Sequence, residues 1–387
     1  MAVVSLSMFS ACNDDDNNDG GDDQDENIVS ANITENTTWE TGKVYILGGR
    51  ISVVNGVTLT IQPGVIVKGQ AGTGSNATAL LIARGGKLMA EGTATQPIIF
   101  TSVADEIEPG QIASPNLDPT LNGLWGGLLI MGKAPISADA ESIQIEGIPA
   151  SDQNGLYGGT DAADNSGVIK YVSIRHGGAN IGEGNEINGL TLGGVGSGTV
   201  IENIEVVANQ DDGIEWFGGA VSVKNVIVLN TGDDAIDTDQ GWSGTLDNFV
   251  VINPGDEGLE LDGGEGSFNN LCTIKNGHVS AVDAEGIADL DSKGAGIEDV
   301  SNTWANMSNI YFFNLTYGQD FDDNPAELVA ASFEVTLPSD TLTVGDFFKK
   351  GSADYVTVVA AGANTVGADL SKFAGWSWAD EAGLLEF

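Results

Sequence analysis

Basic residues are scarce in this chain: 14 Lys and Arg stand against 56 Asp and Glu, for a formal net charge of −42. A phosphate backbone is recognised by Lys and Arg, so this balance excludes nucleic acid as a partner. It also excludes attachment to an anionic membrane by charge, and it points to cations or to salty water. Cysteine is scarcer still. Cys12 and Cys272 make no disulfide framework, and Cys272, within Leu271-Cys-Thr-Ile274, reads as a small core residue. Histidine is limited to His176 and His278. Only 18% of residues are charged while Gly reaches 54, a balance that suits many tight bends.

What the chain does have is one pattern written three times, over residues 201–216, 223–238 and 246–261. Asn203, Asn225 and Asn248 open equivalent strands, 22 and then 23 residues apart, with looser copies at Asn276 and Asn309. One position after the Asn stand Ile204, Val226, Phe249 and Ile310; three after it stand Val206, Val228, Val251 and Phe312. These alternate with mixed residues, the period of two that marks a strand. Eleven positions after the Asn, Ile214, Ile236, Leu259 and Ile287 mark a second strand, each preceded by Gly or Ala. So short a period holds no crossover helix. It fits one turn of a β-solenoid, in which each repeat buries its apolar face against its neighbours, with parallel pairing and right-handed connections. The Asn column has a structural role, each side chain bonding its own coil and the amide of the next Asn at ~4.8 Å spacing. By length alone 387 residues would allow two domains, but a solenoid lengthens without a new core.

The Asn ladder, the small residue and the following Ile (as in Asn203 to Asp212-Gly-Ile214) resemble, residue by residue, the right-handed parallel β-helix of the pectate-lyase-like superfamily, over roughly residues 42–320. The fold class this implies is all-β, a right-handed parallel β-helix (solenoid) with a C-terminal cap. Lyases, hydrolases, adhesins and inert surface proteins share that fold, so the resemblance settles no activity. The Asn-Gly, Pro-Gly and Lys-Gly order within residues 44–69 resembles the opening coils of Bacteroidota β-helix proteins.

Residues 1–11 are apolar and end in small residues directly before Cys12. They resemble the end of a bacterial lipoprotein signal peptide, with Cys12 as the lipidated residue. Residues 13–27 have no apolar group to bury and read as a disordered acidic linker; such a run after the Cys resembles the surface-export signal of Bacteroidota lipoproteins. The expected organisation is a signal-peptide remnant (1–11), a lipidated Cys with its linker (12–27), a β-helix (28–325) and a capping region (326–387). In the last, residues 370–385 read as a short helix whose Trp376 and Trp378 cover the final coil. The expected location is the outer face of the outer membrane, anchored by lipid, as a monomer.

Polar insertions at 104–123 and 146–167 flank the strand around Leu124 to Met131, and insertions of a solenoid are expected to collect on one side. Trp125 and Tyr157 are candidate sugar-stacking residues, unless they serve to anchor these loops. Arg175 and His176 lie one coil before the acidic rows. With Asp233 and Asp234 they form the candidate catalytic set of a polysaccharide lyase or hydrolase, a general base beside a charge-neutralising Arg. The plainer alternative is an Arg balancing nearby carboxylates and a His in a turn.

The acidic rows carry the sharpest chemical signal. Eight positions after the Asn stand Asp211, Asp233 and Asp256, and twelve after it Glu215, Asp237 and Glu260; Asp212, Asp234 and Glu257 add a third column. With the following Ile or Leu pointing inward, the first two columns and the small residues between them are expected to point outward, as a shallow groove with carboxylate walls. In the fourth row Ala284 and Ala288 replace acids, so the groove is expected to fade there. Like charges ~4.8 Å apart repel by about 1 kcal/mol in water and about 3.5 kcal/mol at an effective dielectric near 20. Bound Ca²⁺, raised carboxylate pKa values or full solvation would each relieve this, and oxygen-only ligands suit Ca²⁺ rather than zinc or copper. Gly232-Asp-Asp234 resembles the Asp pair of polygalacturonase-like hydrolases, but their Gly-His-Gly and Arg-Ile-Lys motifs are absent. The leading expectation is a Ca²⁺-dependent, non-catalytic binding or adhesion protein with a polysaccharide ligand. A polysaccharide lyase or glycoside hydrolase, and a purely structural surface protein, stand as alternatives.

Overall fold

Asn203, Asn225, Asn248, Asn276 and Asn309 all adopt left-handed backbone, with φ between 55° and 65°. Asn tolerates that region better than other non-Gly residues, and there the chain turns without ending its strand. Residues before and after each Asn pair in register with the next coil, as in Ile201↔Val223 and Ile204↔Val226. The side chains form the expected ladder: Asn225 Nδ2 donates to Asn203 Oδ1 at 2.9 Å, Asn248 to Asn225 at 2.9 Å and Asn309 to Asn276 at 3.1 Å. The ladder breaks once, where Asn276 donates to Asp247 instead.

In the computed structural model, which describes residues 27–180, 187–282, 284–290, 304–322 and 332–387, these coils build an all-β right-handed parallel β-helix. One 15-stranded sheet runs along it through Gly167–Arg175, Val200–Val207, Val223–Leu229, Thr245–Ile252, Leu271–Ser280 and Trp304–Phe313. An 8-stranded sheet stacks Arg50–Val53, Ala79–Ile82, Leu128–Met131, Leu190–Gly193, Ile214–Phe217, Ile236–Asp239, Leu259–Leu261 and Ala288–Asp289. The signal-peptide and linker expectations, including Cys12, lie outside the described residues. Among the described residues no helix is long and apolar enough to cross a membrane.

The core is a stack of aliphatic columns. Ile204, Val226, Phe249, Ile214, Ile236 and Leu259 all face it, and Cys272 is buried within it as expected. Volume is balanced between coils: Phe249 is followed in its column by Gly277, because a Cβ at Gly277 would strike the Phe249 ring. The small column at the bend is inside, which corrects the expected groove floor. A Cβ added at Gly189 or Gly213 would meet Val206 or Val228, one at Gly258 would sit 2.9 Å from Val279, and Ala235 is itself core.

The C-terminal region does more than cap. Phe333–Val335 and Val356–Val358 extend the first sheet past the expected boundary at 325, still in parallel. Phe321, Phe333 and Phe348 pack around Phe312 with ring centroids 5.5–6.1 Å away, closing the core. The chain then runs back lengthwise along the outer face of that sheet: Thr365 on Glu334, Ala368 on His278, Asp369 on Asn248 and Ala379 on Glu205. This strap buries Trp376 and Trp378 against Val207, Ile227, Leu229, Val250 and Ile252. Its cause is visible in the strands, which carry continuous apolar runs after the Asn and so need cover on both faces.

Candidate functional site

The two insertions do not share a side. Residues 104–123 lie over the turn after Gly167–Arg175, where Ile112 O accepts from Arg175, Leu121 O contacts His176 Nδ1 and Pro119 O accepts from Asn230 at 2.9 Å. The second insertion lies on the outer face of the 8-stranded sheet. There its Ile148 and Tyr157, with Ile136 and Ile145 from the segment just before it, cover Leu81, Leu129, Met131 and Phe217. That outer face is apolar in the early coils and acidic in the later ones.

This placement corrects four expectations. Trp125 is fully buried, its indole N–H donating to Arg175 O at 2.7 Å. Tyr157 is equally buried, donating to Gln240 Oε1 at 2.9 Å and tilted against Phe217. Both anchor loops and neither offers a ring face to a sugar. Arg175 is sealed beneath the strap with its guanidinium 4.9 Å from the Trp378 ring centroid. It bonds Ser173 Oγ at 2.7 Å and lies 3.5 Å from Glu205. His176 is packed edge-on to Trp378, and burial holds its pKa below the ordinary imidazole range. Neither is brought to the acidic rows, so the catalytic pairing with Asp233 and Asp234 does not form.

The acidic rows do come together. Glu215 pairs in register with Asp237, Asp237 with Glu260 and Glu260 with Asp289. The column therefore continues into the fourth row instead of fading; one extra residue there puts Ala288 opposite Leu259 and Asp289 opposite Glu260. Asp212 and Asp234 form a ladder at the bend. Asp212 Oδ1 accepts from the Asp234 N–H at 3.1 Å, and Asp234 Oδ1 from the Glu257 N–H at 2.6 Å. Asp239, beside Phe217, and Asp262 add two more buried carboxylates. The outermost column, Asp211, Asp233 and Asp256, keeps contact with solvent.

Burial, more than mutual repulsion, dominates the electrostatics. It raises Asp212, Glu215 and Asp237 well above the usual carboxylate range, and neighbouring acids add to the shift. Burial pushes Asp234 up to about 12, helped by a hydrogen bond that its protonated form donates to Glu260 and by the charge of Asp212. Half-buried Glu257 is pushed up to about 8 by desolvation and then by Asp256. The described ion pairs use Arg50, Lys170, Arg175, Lys275 and Lys372, and none reaches Asp212, Glu215 or Asp237.

Three sets of carboxylates bring oxygens within 4.8 Å of one another: Asp211, Asp212 and Asp233; Asp233, Asp234 and Asp256; and the fully interior Asp212, Glu215 and Asp237. Oxygens on opposite sides of a Ca²⁺ with bonds of 2.3–2.6 Å stand about 5 Å apart, so each set has the span of a Ca²⁺ cage. Asp289, Asp239 and Asp262 were not among the residues proposed from sequence as ligands. Asp289 is hidden by the one-residue offset, and Asp239 and Asp262 lie in sequence just past the repeated acid columns.

A family model described as the pectate-lyase like beta helix domain matches residues 31–376. No curated protein and no solved structure matches the chain. The match runs from the first coils into the strap, so it spans the whole solenoid. On that coverage and on the parallel coils described above, the chain belongs to the family of pectate-lyase-like β-helix domains.

Proposed function

We propose that the protein is a Ca²⁺-dependent glycan-binding or adhesion β-helix, held at the outer surface of the outer membrane by a lipid on Cys12. The observation that carries the reading is Asp233, which shares one carboxylate cage with Asp211 and Asp212 and a second with Asp234 and Asp256. It stands on a column that keeps solvent contact. A Ca²⁺ ion there takes protein oxygens on one side and has positions left for sugar hydroxyls on the other. The anchor rests on the apolar run before Cys12 and the acidic residues 13–27 after it, with the Bacteroidota-type export signal as the comparison.

The test is a glycan array probed with residues 28–387 in Ca²⁺, in chelator, and as the Asp233→Asn/Asp256→Asn variant. Binding present only in Ca²⁺ and lost in the variant supports the reading. Binding that survives chelator, or no binding to any polysaccharide, refutes it. For the anchor, the full-length precursor expressed in a bacterial host should partition to the outer membrane and be cleaved by protease added to whole cells. The Cys12→Ala variant should be released in soluble form.

A further inference from the structure

Asp212, Glu215 and Asp237 differ from the outer cages in being wholly interior. Asp237 is 7% exposed and Asn188 1% exposed. Each presents a buried oxygen that accepts no hydrogen bond: Oδ1 of Asp237 and Oδ1 of Asn188. Asn188 reaches the cluster, because its side-chain amide donates to Glu215 Oε2. An unmatched buried acceptor loses its hydration without replacement, and two beside three carboxylates is an arrangement that a cation would resolve. The four residues come from three successive coils, Asn188 from the first, Asp212 and Glu215 from the second and Asp237 from the third.

We propose that this interior cluster is a second cation site, in which one Ca²⁺ held by Asp212, Glu215, Asp237 and the Asn188 carbonyl staples three coils together. It goes beyond the glycan-binding reading, since a buried ion has no position for a sugar. The ligand set selects the metal. All donors are hard oxygens, one of them neutral, which excludes a preference for zinc or copper. Mg²⁺ keeps several waters in a near-ideal octahedron, and a buried site with Asn188 against Glu215 and Tyr157 close by favours an ion that sheds them. Asn209 prepares the bend by donating to Ile187 O at 3.1 Å and Asp212 O at 2.8 Å, which ties the Asn188 turn to the Asp212 turn before any ion binds.

The experiment measures metal content and Tb³⁺ luminescence on residues 28–387. Protein dialysed exhaustively into metal-free buffer at neutral pH is expected to retain about one Ca²⁺ per chain, and the Asp233→Asn/Asp256→Asn variant to retain it as well. The Asp237→Asn and Glu215→Gln variants should lose it. Tb³⁺ bound there should be sensitised by Tyr157, whose hydroxyl lies in the field of Glu215 and Asp239, and Ca²⁺ should quench that signal by competition. No retained ion together with no Tyr157-dependent Tb³⁺ signal overturns the proposal, as does retention in folded Asp237→Asn. If both interior variants fail to fold, the wild-type metal content and the Tyr157→Phe luminescence control decide it alone. Loss of glycan binding in the outer variant with the ion retained would separate the two sites. Retention of the ion without any glycan binding would sink only the functional reading.

Discussion

Stripped of divalent cations, the domain should lose stability as pH rises from 5 to 7, where an exposed acidic surface with ordinary pKa values would show no change. The folded-state pKa of Asp234 is raised to about 12, and those of Asp212, Glu215 and Asp237 are raised well above normal. In the unfolded chain the same groups ionise near pH 4. The folded state therefore holds protons that the unfolded state has released. Stability from these groups is fully present below about pH 4 and is lost as pH climbs toward the folded values. Each retained proton contributes a slope of about 1.4 kcal/mol per pH unit. One proton held by Asp234 makes the loss about 2.7 kcal/mol between pH 5 and 7, and the raised Asp212, Glu215 and Asp237 act in the same direction. An unfolding entropy near 2.1 cal/mol/K per residue over a chain this long converts the Asp234 share to a Tm drop of roughly 4 °C. The assay is calorimetry of residues 28–387 in excess chelator at several pH values and 0.15 M salt. Restoring Ca²⁺ should flatten or invert the slope, because metal binding needs deprotonated ligands. A Tm in chelator that rises or stays level with pH would refute the reasoning, since it would mean that the buried carboxyls give up their protons on folding.

Gly277→Ala places a methyl against the Phe249 ring and should destabilise by about 1–3 kcal/mol in denaturant melts; adding Phe249→Leu should recover part of the loss. Asn225→Ala removes two ladder hydrogen bonds and puts a Cβ at φ 55°. It should cost about 2–4 kcal/mol, with Asn225→Gly costing less because Gly accepts that backbone. Trp378→Ala uncovers the Arg175–Glu205 pair and should cost about 3–5 kcal/mol. Limited proteolysis should then clip residues 360–387 before the solenoid, and equal protection in wild type and variant would contradict the strap's role.

Much of the site was legible as composition but not as position. The three acid columns were visible in the rows, yet their direction was inferred by carrying strand alternation across a bend. Alternation holds only within a strand, and Gly213 and Ala235 stand in the bend just before Ile214–Phe217 and Ile236–Asp239, where they turn inward beside the following Ile. The fourth row misled for a related reason: Ile287 and Ala288 are both core, and an apolar pair conceals which of its members holds the register. Trp125 and Tyr157 resembled surface aromatics because they border polar loops. Their burial depends on residues 50 and 83 positions away that accept their hydrogen bonds. A signal for the strap was present, in the unbroken runs Val226 to Leu229 and Phe249 to Ile252, since a strand apolar on both faces demands a second cover.

What the sequence by itself determined is the coil. A period of 22 or 23 residues, an Asn able to take left-handed backbone and an inward aliphatic at fixed offsets leave parallel stacking as the way to bury those columns, and each of these is a local property repeated. What only the tertiary structure decided is which surfaces of the coil meet water. The acidic face lost its solvent to an insertion from an earlier coil, and Arg175 lost its solvent to the end of the chain. Both covers come from segments far away in sequence, and desolvation depends on what lies across space, which no periodicity along the chain encodes.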